Sequence, residues 1–335
     1  MCYDMKHMIE KEMRDCHLCP RDCGVNRTGD NSGGKFGVCG QSDKIKVAKY
    51  SLHMWEEPCI SGSKGSGTVF FSGCSLGCVF CQNSKISNPK VLQEREALGK
   101  EVSVEELAEI FLKQQYENHA NNINLVTATH FLPQVIAALD RAKNHGLTIP
   151  IVYNCSGYEQ VEGIKRLEGY VDVYLPDFKY ISQEMSLKYS HVRDYAIRAK
   201  AALQEMVRQC KDAYFYVEGD SFHERISPKE YQDRCEEESL LMGRGVIVRH
   251  LMLPNGIEDS KAVMQYLLNT YKEQIFISVM NQYTPLPQVS HIPELNQKVA
   301  KKDYEELLDF AINLGMEYGF FQEGDVAMES FIPDF

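Results

Sequence analysis

GSGTVFFSGCSLGCVFCQN, residues 65–83, couples a short apolar run to a loop that carries three cysteines. Val69-Phe70-Phe71 has the β-branched and aromatic character of a buried strand. Cys74, Cys78 and Cys81 follow at once, separated by three and then two residues. If that strand belongs to a parallel barrel, its loop emerges at the C-terminal mouth, where barrel active sites sit. Three thiolates at this spacing suit three corners of a [4Fe-4S] cubane and leave one iron open to an outside ligand. A structural zinc is the alternative reading. Zinc prefers four ligands from CxxC-type pairs, and the nearest outside thiol is Cys59.

Outward from this stretch the chain alternates between two periodicities. Residues 123–129, 149–155, 171–178, 246–253 and 275–283 read as five further strands. A helix is expected over 104–116, where Ser103 and Glu106 form a capping box and Leu107, Ile110 and Phe111 share a face. Residues 133–145 and 259–272 read as helices too, with Pro133 in a first turn and Asp259 as an N-cap. Six strands with intervening helices imply parallel crossovers, hence an α/β fold of partial or complete barrel type. Periodicity alone leaves an open doubly wound sheet compatible. One segment breaks the rhythm: residues 211–242 hold nine acidic and four basic side chains around Tyr214-Phe215-Tyr216. It reads as an insertion, either a partner-docking surface or a solvated loop.

The domain reading is then a Cys-rich extension over 1–65, a core barrel over 66–290 with the 211–242 insertion, and a C-terminal helix and tail over 291–335. Twelve cysteines without an export signal point to reduced thiols used as ligands. A cytoplasmic protein with no membrane span is expected. The net charge of -11 disfavours nucleic acid and favours a protein or small-molecule substrate. Cys16, Cys19, Cys23 and Cys39 lie in a Gly-rich, apolar-poor segment that cannot fold on its own burial, so a metal is expected to organise it. Zinc and an auxiliary iron-sulfur cluster both fit four thiolates, and free thiols are the third reading.

The run at 65–83 resembles the radical S-adenosylmethionine (SAM) superfamily motif. With CHLCPRDCGVNR (16–27), EEPCISG (56–62), NINLVTATHF (122–131), PIVYNCSGYE (150–159), VDVYLPDFKY (171–180), GVIVRHLMLP (245–254), ISVMNQYTP (277–285) and ESFIPDF (329–335), the chain is similar to the pyruvate formate-lyase activating enzyme-like, PflX-type group. The resemblance implies a partial (β/α)6 TIM-like barrel. It also implies an oxidoreductase that cleaves SAM reductively to a 5'-deoxyadenosyl radical for hydrogen abstraction, possible targets including a glycyl radical enzyme.

Residue by residue, Asn83 matches a SAM-proximal position, and Phe80 flanks the adenine or packs in the core. No GGE follows the second strand; Thr127 and Thr129 offer hydroxyls there, and His130 stands at the mouth or is a satisfied polar residue. Asp177 and Lys179 are similar to the activases' Asp-x-Lys, and a separation of two on a strand puts both on one side, as a SAM contact or a structural pair. Asn154 stands where the activases have Asp, which removes a charge that would favour a cation. Arg249 matches an Arg near the SAM carboxylate, the other reading being a strand-end surface residue. Gln282 and Tyr283 fall on the substrate side. A flavodoxin or ferredoxin would supply the electron. Radical modification of a peptide, cofactor precursor or RNA is the alternative enzyme class, and an iron-sulfur or zinc sensor the non-enzyme one.

Overall fold

The computed structural model describes residues 3–28, 36–87, 99–220 and 224–321. Their strands are β1 (Ile45–His53), β2 (Ser66–Phe71), β3 (Lys100–Val102), β4 (Ile123–Val126), β5 (Ile151–Cys155), β6 (Val173–Pro176), β7 (Tyr214–Val217), β8 (Leu240–Leu251), β9 (Phe276–Met280) and β10 (Gly319–Phe321). They form one sheet in the order β10-β9-β8-β6-β5-β4-β2-β1-β3, with β7 paired to β8. The six strands expected from the sequence are β2, β4, β5, β6, β8 and β9, and each neighbouring pair is parallel. Strands β1 and β3 extend one edge antiparallel, and β10 extends the other in parallel.

Phe70 of β2 and Phe320 of β10 line one cavity, so the sheet curls on itself as a partial barrel instead of lying open. Alternation along the strands sorts the two faces. Val69, Phe71, Leu125, Tyr153, Tyr174, Val248 and Ile277 are buried in the main core with the helices. On the lumen side, residues two apart change character along each strand: Val152 gives way to Asn154, Leu175 to Asp177, Ile247 to Arg249 and Phe276 to Ser278. The lower lumen is therefore apolar and the upper lumen polar.

The helix Val104–Tyr116 carries its Ser103/Glu106 capping box. In Leu132–Asn144, Pro133 occupies the first turn. The helix Ile257–Tyr271 starts two residues earlier than expected and has Gly256 at its N-cap. Asp259 is thus not the cap, and its carboxylate instead accepts hydrogen bonds from the Ile181 and Ser182 amides.

The 211–242 segment interrupts the βα rhythm, but the solvated-loop reading does not hold. Its aromatic and aliphatic side chains drive it inward: Phe215, Ile226, Tyr231, Leu240 and Met242 are buried with Val152, Val173, Ile247 and Phe276 in a second apolar cluster. Cys59 and Ile60, on the short helix Pro58–Ser61, join that cluster. Asn121 and Asn122, just ahead of β4, donate to the carbonyls of Ser61 and Ile60. The helix thereby closes the N-terminal end of the barrel.

Toward the C-terminus, helix Lys301–Asn313 buries Tyr304, Leu307 and Ala311, and Tyr304 hydrogen-bonds the Val279 carbonyl at 2.9 Å. Cys2 and the ESFIPDF tail lie outside the described residues. Among those residues no helix is long and apolar enough to cross a membrane.

Candidate active site

A cavity of about 620 Å³ opens at the C-terminal mouth of the barrel. Its walls bring together Cys74, Cys78, Cys81, Phe80, Asn83, Thr127, Asn154, Asp177, Lys179 and Arg249. These residues span 176 positions of sequence and meet because each sits at or just past the end of a parallel strand or in the loop after β2.

Arg249 is the hub of the polar layer. Its Nε donates to Asp177 Oδ1 at 3.1 Å, Nη1 to Glu56 Oε2 at 3.1 Å and Nη2 to Asn154 Oδ1 at 2.6 Å. Lys179 Nζ donates to the other Asp177 oxygen at 2.7 Å. Glu56 Oε1 accepts from Asn124 at 3.0 Å and from Asn154 at 3.3 Å. Asn154 is suited to its place because an amide accepts from Arg249 and donates to Glu56 at once, which an ionised Asp could not do. Burial opposes the Asp177 carboxylate, yet Lys179 and Arg249 outweigh it and hold its pKa below the ordinary value. Burial likewise opposes the Lys179 ammonium, and Asp177, Cys78 and Cys81 outweigh it and raise its pKa.

The three loop thiols meet donors suited to thiolates. Leu76 N lies 3.4 Å from Cys74 Sγ, Ser87 Oγ donates to Cys81 Sγ at 3.2 Å, and Ser190 Oγ is 2.9 Å from Cys78 Sγ. Burial pushes the Cys78 thiol up to about 12 and raises Cys81, with Lys179 pulling both the other way. Thiolates here need a positive centre among them, and the donor set fits an iron-sulfur cluster. Among the described residues no three His, Cys, Asp or Glu side chains close tightly enough for a single metal ion. Cubane thiolates sit on separate irons and need no such convergence. Cys59 belongs to the apolar floor and stands apart from the three.

Backbone geometry fixes the rim. Thr127 holds φ +58°, a left-handed conformation that costs a β-branched residue strain, and its amide donates to the Asn154 carbonyl at 2.9 Å. Gly157 has φ +75°, and a Cβ there would fall on the Asp177 carbonyl oxygen. The Tyr195 hydroxyl accepts from the Lys179 amide at 2.9 Å and faces the Ser156 and Asp177 carbonyls at 2.8 and 3.0 Å. It ties the ends of β5 and β6 together beneath the Asp177–Lys179 pair.

The upstream cysteines gather in one neighbourhood. Cys19 interacts electrostatically with Cys39 and Cys23, and Cys39 with Cys16 and Cys23, while burial pushes the Cys19 thiol up to about 12. Among the described residues no three of these side chains close tightly enough for a single metal ion. Two arginines tie the segment to its surroundings. Arg27 is 1 % exposed and donates to the carbonyls of Gln41, Ser42 and His130, with Cys16 Sγ 3.5 Å from Nη1. Arg21 reaches across to the cysteine loop: it donates to the carbonyls of Ser75, Leu76, Ser190 and His191 at 2.7 to 3.2 Å.

Three positions weighed from the sequence do not line the cavity. Thr129 gives its hydroxyl to Glu159 at 2.9 Å, because the chain turns at Thr127 and sends it to the helix side. His130 is the satisfied polar residue of the two sequence readings: it is 1 % exposed, its Nε2 lies 2.7 Å from the Ser72 carbonyl, and burial lowers its pKa to about 3. Tyr283 lies behind Phe80, rings 6.3 Å apart, and donates to Leu295 O; Gln282 alone of that pair lines the cavity. Glu56, Glu57 and Arg21 are the additions. EEPC and CPRDC were visible in sequence, but nothing local tied those charges to partners 54 to 193 residues away.

Residues 68–227 match the family model described as the radical SAM superfamily. A Methanocaldococcus jannaschii protein described as uncharacterized is 27% identical over 321 residues, covering 94% of this chain and 80% of the relative. Among solved structures, Streptococcus suis SuiB bound to precursor peptide SuiA aligns over 75% of this chain and 46% of SuiB, at 10% identity and TM-score 0.43. SuiB bound to S-adenosylmethionine gives the same identity, score and coverage of this chain, with 48% of SuiB covered. A domain of pyruvate-formate lyase-activating enzyme from Bacteroides vulgatus aligns over 57% of this chain and 91% of that domain, at 10% identity and TM-score 0.35. The chain thus spans under half the length of SuiB. The matched stretch is just under half of the chain, runs from β2 past β7 and includes the cysteine loop.

Proposed function

We propose that the chain is an enzyme that binds a [4Fe-4S] cluster through Cys74, Cys78 and Cys81 and uses it to cleave SAM reductively. The observation that carries this reading is the shared cavity: three thiols and a set of cationic and amide side chains face one space at the barrel mouth. When bound, the cluster supplies one electron to the SAM sulfonium, giving methionine and a 5'-deoxyadenosyl radical.

The protein's own residues supply the rest. Arg249, tied to Asp177, Glu56 and Asn154, holds a positive charge in the cavity wall suited to a ligand carboxylate. Lys179 holds a fixed positive charge facing Cys78 and Cys81, which favours their ionised form. Asn83 Oδ1 is buried in the wall without a hydrogen-bond partner among the described residues, and is suited to accept from an ammonium. Phe80 gives an apolar face for the adenine ring. The apolar lower lumen and its plug keep water from the reacting end.

Reduced, iron-loaded protein incubated anaerobically with SAM releases 5'-deoxyadenosine and methionine, and Cys78→Ala abolishes both. Absence of turnover from fully loaded wild-type protein with several reductants would return the chain to the class of iron-sulfur binding or sensing proteins. A flavodoxin or ferredoxin serves as electron donor. The resemblance to the PflX-type group extends the reading to hydrogen abstraction, with a backbone glycine of a glycyl radical enzyme as one target. A stable organic radical signal in a partner protein after turnover is the sign of that reaction.

A further inference from the structure

The geometry points to a second subsite in the cavity, at Glu57, that takes a cationic group: a primary ammonium or guanidinium carried on an apolar stem. The inference deepens the function above by naming a substrate class, and rests on it in taking this cavity as the substrate site.

Glu57 lines the cavity and is 8 % exposed, and its Oε2 has no hydrogen-bond partner among the described residues. Its neighbour Glu56 has both oxygens engaged, by Arg249 on one side and by Asn124 and Asn154 on the other. The difference comes from the backbone. Glu57 is the N-cap of the helix Pro58–Ser61, yet its side chain makes no cap bond and turns to the lumen. Cys59 and Ile60, locked in the apolar floor, fix where that side chain emerges.

The charges in the wall do not balance without a ligand. Glu56, Glu57 and Asp177 face two cations, Arg249 and Lys179, and both cations are bonded to the other two carboxylates. An isolated buried carboxylate is costly, so such a group keeps its proton until a cation arrives. Burial, with Glu56 adding to it, does raise the Glu57 pKa, while Arg249 and Ser278 pull it down. Leu251, Met280 and Phe320, from three neighbouring strands, give the same cavity an apolar wall beside Ser278. A short alkyl stem would lie along it with its charged head at Glu57. Entry of that head would release the carboxyl proton to solvent, with no covalent change.

The probe is n-butylammonium, compared with n-butylguanidinium, 1-butanol and butyrate, titrated calorimetrically into anaerobic, cluster-loaded protein. The two cations are expected to bind at least about tenfold more tightly than butanol, with butyrate weakest. The heat should also vary with the buffer's ionisation enthalpy as the Glu57 proton leaves. Glu57→Gln, isosteric and uncharged, should bring ammonium and alcohol to within about twofold of each other. Equal binding of butylammonium and butanol by the wild type overturns the proposal without recourse to any variant. So does a preference kept by Glu57→Gln, or displacement of butylammonium by SAM, which would assign Glu57 to the cofactor. A cation preference in protein that releases no 5'-deoxyadenosine would defeat the cofactor reading and leave this one standing.

Discussion

Arg249 and Asp177 stand side by side on adjacent parallel strands, and the guanidinium Nε reaches Asp177 Oδ1 at 3.1 Å. With Glu56 also on the guanidinium, removing it would leave two partly buried carboxylates facing each other. Breaking such an assembly from one side costs about 3–5 kcal/mol. Arg249→Met should therefore lower the melting temperature sharply. Arg249→Lys should recover only part of the loss, since an ammonium cannot span three acceptors in one plane. Equal melting temperatures for Arg249→Lys and the wild type would contradict the hub role.

Thr127→Gly should stabilise the protein by about 1 kcal/mol, because glycine accepts φ +58° without the steric cost that a β-branched side chain meets. Chemical denaturation compares the two directly. A loss of stability would mean that the Thr127 side chain contributes more packing than its backbone costs.

Gly157→Ala should have the opposite sign. The added methyl group falls on the Asp177 carbonyl, which must move, and the Asp177–Lys179 pair moves with it. Lower stability and weaker SAM binding are both expected, the latter read by calorimetry on iron-loaded protein. Unaltered SAM affinity would show that the position of Asp177 is not needed for the ligand.

Glu159 gives the pH prediction. Burial raises its pKa to about 8, with hydrogen bonds from Thr129 and Tyr153 offsetting part of the shift. The folded state then holds a proton that the unfolded chain has lost above about 4.5. The stability linked to this group is complete below that value and drains away as pH rises toward 8. Melting temperature should fall between pH 5 and 8 in the wild type, and Glu159→Gln should flatten that slope. A slope unchanged in Glu159→Gln assigns it to other groups.

Metal analysis of anaerobically purified protein separates the two cysteine sets. Cys78→Ala should lose the iron of the barrel loop, while Cys19→Ala should lose whatever metal the upstream set holds. Metal content unaltered in Cys19→Ala would show that Cys19 holds no metal.

The six parallel strands were legible because buried parallel strands are continuous apolar runs, and the loop after β2 because three cysteines at fixed spacing have few other uses. The helix Val104–Tyr116 was legible because its capping box is local. Edge strands β1, β3 and β10 were missed. They are mixed in polarity or only three residues long, and their pairing is decided by partners far along the chain. Within the site, residues that match strand-end motifs were found. Glu56 and Glu57 were not given roles, since their lumenal position depends on a plug that packs from beneath the barrel. Thr129 was misplaced for a related reason: a single left-handed residue at 127 redirects the chain, and no pattern in TATH announces it.

The grip of Arg21 on Ser190 and His191 bridges 169 and 170 positions of chain. During synthesis the amino-terminal thiols leave the ribosome long before those carbonyls exist. The full set of Arg21 bonds, to the loop at 74–81 and to residues 190–191, can close only once both ends of that span have been made. Until then Arg21 lacks two of the four carbonyls that tie the upstream cysteines to the loop. A ribosome stalled before that point should carry a product that is unusually sensitive to oxidants.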